Sequence, residues 1–100
     1  MAGLVYEFEW DPEKAKLNFA KHGIAFEQVS EVFRDPLAVT IADDEHSADE
    51  IRWITLGRDT AGQLVLAVHT FKEVDPGLVR IRLISARRPT PAEIRAYEEP

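Results

Sequence analysis

The segment 79–88, VRIRLISARR, constrains the fold of this chain more than any other stretch. Its first half alternates apolar residues with arginines, and this alternation predicts a β-strand with one apolar and one basic face. From Leu83 to Ala86 both faces are apolar or small, which is typical of a strand covered on both sides. Continued alternation puts Arg87 on the face of Ile81 and Leu83. A guanidinium at the end of a core-facing row is either an edge residue with its charge in solvent or a ligand for an anion.

Local signals near the start of the chain predict one strand and two helices. In residues 5–10, Val and Glu alternate with aromatic residues, the pattern of a half-buried edge strand whose aromatic face points inward. An N-cap aspartate and a proline at 11–12 begin a helix that runs to His22 and ends at Gly23. A second short helix is expected over residues 26–33, because the residue before the following proline avoids helical geometry.

The first helix carries a polar row at the spacing i, i+4, i+7, formed by Lys14, Asn18 and Lys21. A row of this kind is typical of a solvated helix face. The buried side is then expected to contain the apolar residues Ala15, Phe19 and either Leu17 or Ala20.

The remaining strands are predicted at residues 37–41, 51–58, 63–71 and 79–88. In the first of them Leu37, Val39 and Ile41 are expected to face the core. A Thr-Pro-Ala-Glu capping box at 90–93 begins a short closing helix. Because the links between later strands have hairpin length, we predict one α+β domain over residues 1–100. It has a mainly antiparallel sheet of four to five strands, two N-terminal helices and a short C-terminal helix.

Composition limits the classes of function. The chain has no cysteine, which excludes disulfides and thiolate metal sites. Its longest apolar run is far too short to span a bilayer, and a secretory signal pattern is absent, so a cytoplasmic location and no membrane partner are expected. The net charge of −6 is not that of a general nucleic-acid binder. Residues 1–50 carry 4 Lys and Arg against 12 Asp and Glu, whereas residues 51–100 carry 8 against 6, so any anion site must be local.

Two polar features have competing interpretations. The loop 42–50, ADDEHSADE, could bind a divalent cation through its carboxylates and His46, but it matches no calcium-loop spacing, and a solvated loop is favoured. His69 follows a buried run at a strand end, where a lone histidine is more often structural than catalytic.

The chain also resembles a known family, the BrnT toxins of type II toxin–antitoxin systems. The similarity spans about residues 7–97 and rests on an ordered set of short motifs: Phe8-Glu9-Trp10-Asp11, Asn18, Lys21-His22-Gly23-Ile24, Phe26, Val32-Phe33-Arg34-Asp35-Pro36, Glu50-Ile51-Arg52, Gly57, Arg82-Leu83-Ile84-Ser85-Ala86-Arg87-Arg88, Glu93 and Tyr97. The resemblance implies a small RelE-like ribonuclease that arrests growth by cutting RNA. It also implies a ribbon-helix-helix antitoxin that neutralises the toxin, with operator DNA bound only through that antitoxin.

Cleavage of RNA without a metal or other cofactor needs a base for the 2′-hydroxyl, an acid for the leaving oxygen and cations for the phosphate charge. The planar fork of arginine matches two phosphate oxygens. We therefore predict a catalytic group formed by Lys21, His22, Arg52, Arg82 and Arg87. Further contacts to RNA are predicted for Arg58, Arg80, His69 and Tyr97, and no metal ligand is assigned.

Two alternatives remain open. In the first, the protein is a non-catalytic binding module, and its arginines form structural ion pairs with some of the 18 carboxylates. In the second, the loop from Asp43 to Glu50 builds a metal-assisted enzyme.

Overall fold

The computed structural model describes residues 4–44 and 50–99. In chain order its elements are β1 (Val5–Glu9), α1 (Pro12–His22), α2 (Phe26–Ser30), a 3₁₀ turn (Glu31–Arg34), β2 (Val39–Ala42), β3 (Trp53–Arg58), β4 (Leu64–His69), β5 (Lys72–Asp75), β6 (Leu78–Arg87) and α3 (Pro91–Glu98). The α+β class is confirmed. The second helix is shorter than predicted, because its last turn tightens into the 3₁₀ form before Pro36. In the described part of the chain, no helix has the length and apolar character needed to cross a membrane.

The strands form one mixed sheet rather than the mainly antiparallel sheet of four to five strands that we predicted. Its order is β1-β6-β4-β3-β2, with β5 also paired to β6, which makes six strands in the described residues. β1 runs parallel to β6, and the other pairs are antiparallel. Link lengths alone do not reveal the parallel pair, since β1 and β6 lie at opposite ends of the chain.

The ends of α1 follow the local chemistry of its sequence. The Asp11 carboxylate accepts a hydrogen bond from the Glu13 amide at 2.9 Å, and Pro12 is the first helical residue. Gly23 has φ 68°, a left-handed conformation that favours glycine, and its amide donates to the Phe19 carbonyl at 2.7 Å. The predicted bounds of this helix are confirmed.

The rotation of α1 differs from our prediction. Asn18 is buried at 7% exposure, whereas Phe19 is 57% exposed. The Asn18 side-chain amide donates to the Ile24 carbonyl at 3.2 Å, and its oxygen accepts from the Ala86 amide at 2.9 Å. A buried amide with both ends bonded is stable in the interior, so Asn18 turns this face of α1 toward β6.

Two apolar clusters lie on opposite faces of the sheet. The larger one is covered by α1 and α2 and contains Ile24, Phe26, Val29, Val32, Val65, Ala67, Val79, Ile81, Leu83 and Ala86. Tyr6 and Phe8 of β1 pack against it, as predicted for the aromatic face of this edge strand. The smaller cluster lies beneath α3 and contains Leu56, Leu66 and Tyr97. Since α3 is short, part of this second face stays open.

A β-bulge in β6 changes the face on which its last residues lie. His69 pairs with Leu83, but the preceding Val68 pairs with Ser85, so Ile84 is an extra residue on β6. After the bulge, Ala86 joins the core cluster together with Leu83. The predicted position of Arg87 on the face of Ile81 and Leu83 is therefore wrong, because the bulge reverses the alternation.

The prediction that Leu37, Val39 and Ile41 face the core is also wrong. Val39 and Ile41 are 44% and 58% exposed, and Leu37 is more exposed still. Val39 pairs with Leu56 and Ile41 with Ile54, which places these side chains on the partly open face beside α3. Their apolar alternation correctly indicates a strand, but it does not tell which face the helices cover.

Candidate active site

A cleft of about 370 Å³ lies on the open face of the sheet. Arg52 and Arg87 line it together with Asp43 and Ser85, above apolar side chains of β3 and β4. We call this space the arginine cleft. Arg87 reaches it because of the bulge in β6, and Arg52 reaches it from the segment just before β3. The Asp43 amide donates to the Arg52 carbonyl at 2.8 Å, which holds the end of β2 against the start of β3.

A second cleft, of about 300 Å³, adjoins the first. Lys14, Leu17, Lys21 and His22 of α1 line it, and we call it the lysine cleft. Ile84 and Ser85 of the β6 bulge line both clefts. The structure therefore brings four of the five predicted catalytic residues, Lys21, His22, Arg52 and Arg87, to two spaces that meet at the bulge.

Arg87 is held by a carboxylate from the first turn of α3. Its Nη1 and Nη2 donate to Oε1 and Oε2 of Glu93 at 2.9 and 3.0 Å. Glu93 is fixed in turn by a capping box, since its carboxylate accepts from the Thr90 amide at 2.7 Å and its amide donates to the Thr90 hydroxyl. The hydrogen bonds from Arg87 lower the pKa of Glu93 to about 2, and those same bonds raise the pKa of Arg87. Both groups are charged at neutral pH.

Arg82 and Arg80 lie on β6 before the bulge, and both form ion pairs. Arg82 pairs with Glu50, and Arg80 pairs with Glu7 of the neighbouring β1 at 2.8 Å. Neither arginine lines the arginine cleft or the lysine cleft. The ion pair between Arg80 and Glu7 is a structural one, as the non-catalytic alternative predicts.

Arg58 and Tyr97 lie at the other end of β3 from Arg52. The six residue steps from Arg52 to Arg58 correspond to about 20 Å. The Arg58 guanidinium lies 5.4 Å from the centre of the Tyr97 ring and pairs with Glu98, and the Tyr97 hydroxyl donates to Asp35 at 2.6 Å. Burial and this hydrogen bond raise the pKa of Tyr97. Through these contacts Arg58 and Tyr97 join α3 to β3 and to the turn at Asp35.

His69 is fully buried, with 0% exposure. Its Nδ1 lies 2.8 Å from the Thr70 carbonyl, so this nitrogen carries the proton, and Nε2 accepts from the Thr55 hydroxyl at 2.7 Å. Thr55 is bonded in turn to Thr40 at 2.8 Å. Burial lowers the pKa of His69, which keeps the ring neutral. A ring enclosed in this way does not reach a bound RNA, and its two hydrogen bonds are those of a structural histidine.

Residues 45–49 of the acidic loop, including His46, lie outside the described residues. The metal-site alternative depends on that loop and stays a prediction. Sequence reasoning did not assign Lys14, Glu93 or Ser85 to the site. The polar row of α1 contains Lys14 and could have indicated its place in the site. The capping box predicted only a structural role for Glu93, at the start of α3. The dual role of Ser85 depends on the bulge, for which the sequence carries no clear signal.

The fold is shared with a ribonuclease toxin. The crystal structure of the Brucella abortus ribonuclease toxin BrnT matches with a TM-score of 0.59 and 23% sequence identity, over 86% of this chain and 99% of that chain. At this identity the match shows a common fold. The family model described as "Ribonuclease toxin, BrnT, of type II toxin-antitoxin system" matches residues 10–93, and the chain therefore belongs to that family. No curated protein matches the chain. The family predicted from the sequence motifs is confirmed.

Proposed function

We propose that this member of a ribonuclease toxin family cuts RNA without a metal ion, by attack of a 2′-hydroxyl on the adjacent phosphate. The observation that carries the proposal is the meeting of the arginine cleft and the lysine cleft at the β6 bulge. Phosphate-binding groups and proton carriers have to act on the same phosphodiester, and the lining by Ile84 and Ser85 that the two clefts share supports such an arrangement.

In this mechanism Arg52 and Arg87 bind the non-bridging phosphate oxygens and stabilise the charge that gathers on them. Three of the five N–H groups of Arg87 are used by Glu93 and by the Arg88 carbonyl. The other two, one on Nη2 and one on Nε, are left to donate to a phosphate. Glu93 thus orients Arg87 without consuming all of its donors.

Proton transfer is assigned to the end of α1. His22 is the candidate for carrying the proton of the 2′-hydroxyl or the leaving 5′-oxygen, since an imidazole can act as either a general base or a general acid. Lys21 next to it adds positive charge beside the same phosphate. Arg82, the remaining predicted catalytic residue, would contribute only through a rearrangement of its pair with Glu50.

The toxin is proposed to be neutralised by a ribbon-helix-helix antitoxin, and its family implies an antitoxin partner. Operator DNA would be contacted by the antitoxin alone. The negative balance of residues 1–50 suits a basic antitoxin surface. If this charge pairing holds the complex together, high salt will weaken it.

The test compares arginines that line the arginine cleft with one that does not. Arg87→Ala and Arg52→Ala should each lower kcat for RNA cleavage by about 10²–10³, the usual effect of removing one donor to a transition-state oxyanion. Arg80→Ala is the matched control, because Arg80 lies on β6 outside both clefts and should leave kcat close to that of the wild type. Cleavage should continue in EDTA, and loss of activity in EDTA would refute the metal-free mechanism.

The non-catalytic alternative is favoured by the ion pairs of Arg58, Arg80, Arg82 and Arg87, each bonded to its own carboxylate. It predicts that toxin freed of antitoxin leaves RNA intact at every stoichiometry. It also predicts that Arg87→Ala and Arg80→Ala affect only stability, and by similar amounts.

A further inference from the structure

In the polar row of α1, Asn18 is buried against the edge of β6, whereas Lys14 and Lys21 on either side of it are exposed. β1 pairs with residues 78–82 of β6 and then ends, so within residues 4–44 and 50–99 no strand pairs with the following residues of β6 on that side. Asn18 takes the place of a strand there by binding the Ala86 amide. Lys14 and Lys21 lie four residues before and three residues after Asn18, on the same helix face. The bond of Asn18 therefore fixes both lysines beside the bulge.

The same rotation leaves Leu17 in an unusual position for a large apolar residue. Leu17 is 70% exposed and lines the lysine cleft between Lys14 and Lys21. A single exposed leucine needs no explanation in itself. Within a cleft that Lys14 and Lys21 also line, however, it gives an apolar surface beside two cationic side chains.

We propose that Lys14 and Leu17 form a subsite for the nucleotide next to the scissile phosphodiester, with Lys14 on its phosphate and Leu17 against its base. This inference rests on the proposed function and adds the substrate class, which is single-stranded RNA that crosses the β6 bulge from one cleft into the other. Proteins that bind single strands combine a positive groove along the backbone with aromatic side chains on which the bases stack, and Leu17 would supply an aliphatic contact in the place of such a ring.

A double-stranded substrate fits this arrangement poorly. The path over Ile84 and Ser85 bends around a sheet edge, from the open face of the sheet to the side of α1. A flexible single strand can follow such a path and turn its bases outward, whereas an A-form duplex presents a regular, stiff surface. Lys14 would act by charge, so its contribution should be the same for every base sequence.

Binding of an oligonucleotide that cannot be cleaved tests the subsite. A single-stranded RNA with 2′-O-methyl groups lacks the attacking hydroxyl, and its binding can be followed by fluorescence anisotropy across a salt series. Removal of one phosphate contact should reduce the slope of log K against log salt by about 0.7. We expect this change for Lys14→Ala and a stronger loss of affinity for Lys14→Glu. Leu17→Ser should weaken binding at an unchanged salt slope, since its contact carries no charge.

Lys16→Ala is the matched control, because Lys16 lies two residues from Lys14, outside the lysine cleft, and pairs with Glu13 at 3.8 Å. It should keep the affinity and salt slope of the wild type. A dinucleotide with one phosphodiester measures the arginine cleft, and Lys14→Ala should lose more affinity for the longer strand than for this ligand. Thermal melting of each variant checks that the fold is intact.

The outcomes separate the subsite from the proposed function. If wild-type toxin cleaves RNA but Lys14→Ala behaves like Lys16→Ala, the subsite is refuted and the ribonuclease site stands. An equally tight complex with an RNA duplex would refute the single-stranded substrate class. If the wild type neither binds nor cleaves RNA, both proposals fall.

Discussion

Arg87 and Glu93 form a bidentate pair in which two nearly equal hydrogen bonds, 2.9 and 3.0 Å long, join a strand end to the first turn of α3. The pair connects the predicted phosphate-binding arginine to the N-terminal cap of a helix. Its geometry is the strong, planar form of an arginine–carboxylate contact.

Glu93→Gln removes the charge of the pair but keeps a side chain that can complete the capping box. Both partners are partly exposed, so solvent screening limits the expected loss in the free energy of unfolding to about 0.2–1 kcal/mol. Cleavage should fall mainly through kcat, because Arg87 is no longer held in one orientation. Urea unfolding and steady-state kinetics measure the two effects. A variant with full kcat would show that Arg87 needs no orientation by Glu93.

The same pair predicts a pH dependence of stability. The pKa of Glu93 is about 2 in the folded state, below its ordinary value of 4.5, so folding favours the ionised form. Its contribution is present above pH 4.5 and is lost as the pH falls toward 2. The difference in stability between wild type and Glu93→Gln should therefore narrow over this window. A constant difference across it would contradict the pairing.

Asn18→Ala should destabilise the fold by leaving the Ala86 amide and the Ile24 carbonyl without their partner. Each buried group left unsatisfied costs about 1–3 kcal/mol. Hydrogen exchange provides the local readout: the Ala86 amide should exchange faster, whereas amides between β3 and β4 should change only by the global loss of stability. Unchanged protection at Ala86 would mean that Asn18 does not hold this strand edge.

His69→Gln should alter how stability depends on pH. Burial lowers the pKa of His69 below its ordinary value of 6.5, so the unfolded chain takes up a proton more readily than the folded one. The stability that this group contributes is present above about pH 6.5 and declines as the pH falls below it. The variant should lose about 1–3 kcal/mol at pH 7 and show a shallower decline between pH 7 and 5. Parallel curves for the two proteins would contradict a buried neutral His69.

Gly57→Ala should be destabilising for steric reasons. A Cβ at this position would lie 3.0 Å from the Val32 carbonyl oxygen and 3.2 Å from the Ala38 Cβ. The oxygen belongs to the backbone of the 3₁₀ turn and cannot move aside as a flexible side chain would. We expect a loss of about 1–3 kcal/mol, measured by thermal or urea unfolding. A neutral substitution would mean that the turn can shift away from β3.

Local chemistry accounts for what the sequence predicted correctly. The capping residues Asp11, Gly23 and Thr90 specify helix ends through bonds to neighbouring backbone groups, and these ends are found as predicted. The alternation of Tyr6 and Phe8 with glutamates likewise gives an edge strand. Such features depend on a few adjacent residues and need no knowledge of the rest of the fold.

Tertiary relationships account for the errors. Whether Ile41 or Asn18 is buried depends on which sheet face the helices cover and on how α1 is rotated, and neither is a property of the local pattern. In the site, the motifs pointed to Arg52, Arg87, Lys21 and His22 at the adjoining clefts. They gave no warning that Arg80, Arg58 and Tyr97 would be engaged elsewhere, because the carboxylate partners of these groups are distant in sequence.

The bulge at Ile84 makes the site depend on a count of residues as much as on their identity. If the same residues continued in regular alternation without the bulge, Arg87 would lie on the core face and Ala86 on the open face. A change of length by one residue outside the bulge should therefore be far less tolerated along this strand than a substitution. Natural variation in length among related toxins is expected to concentrate in the loops instead.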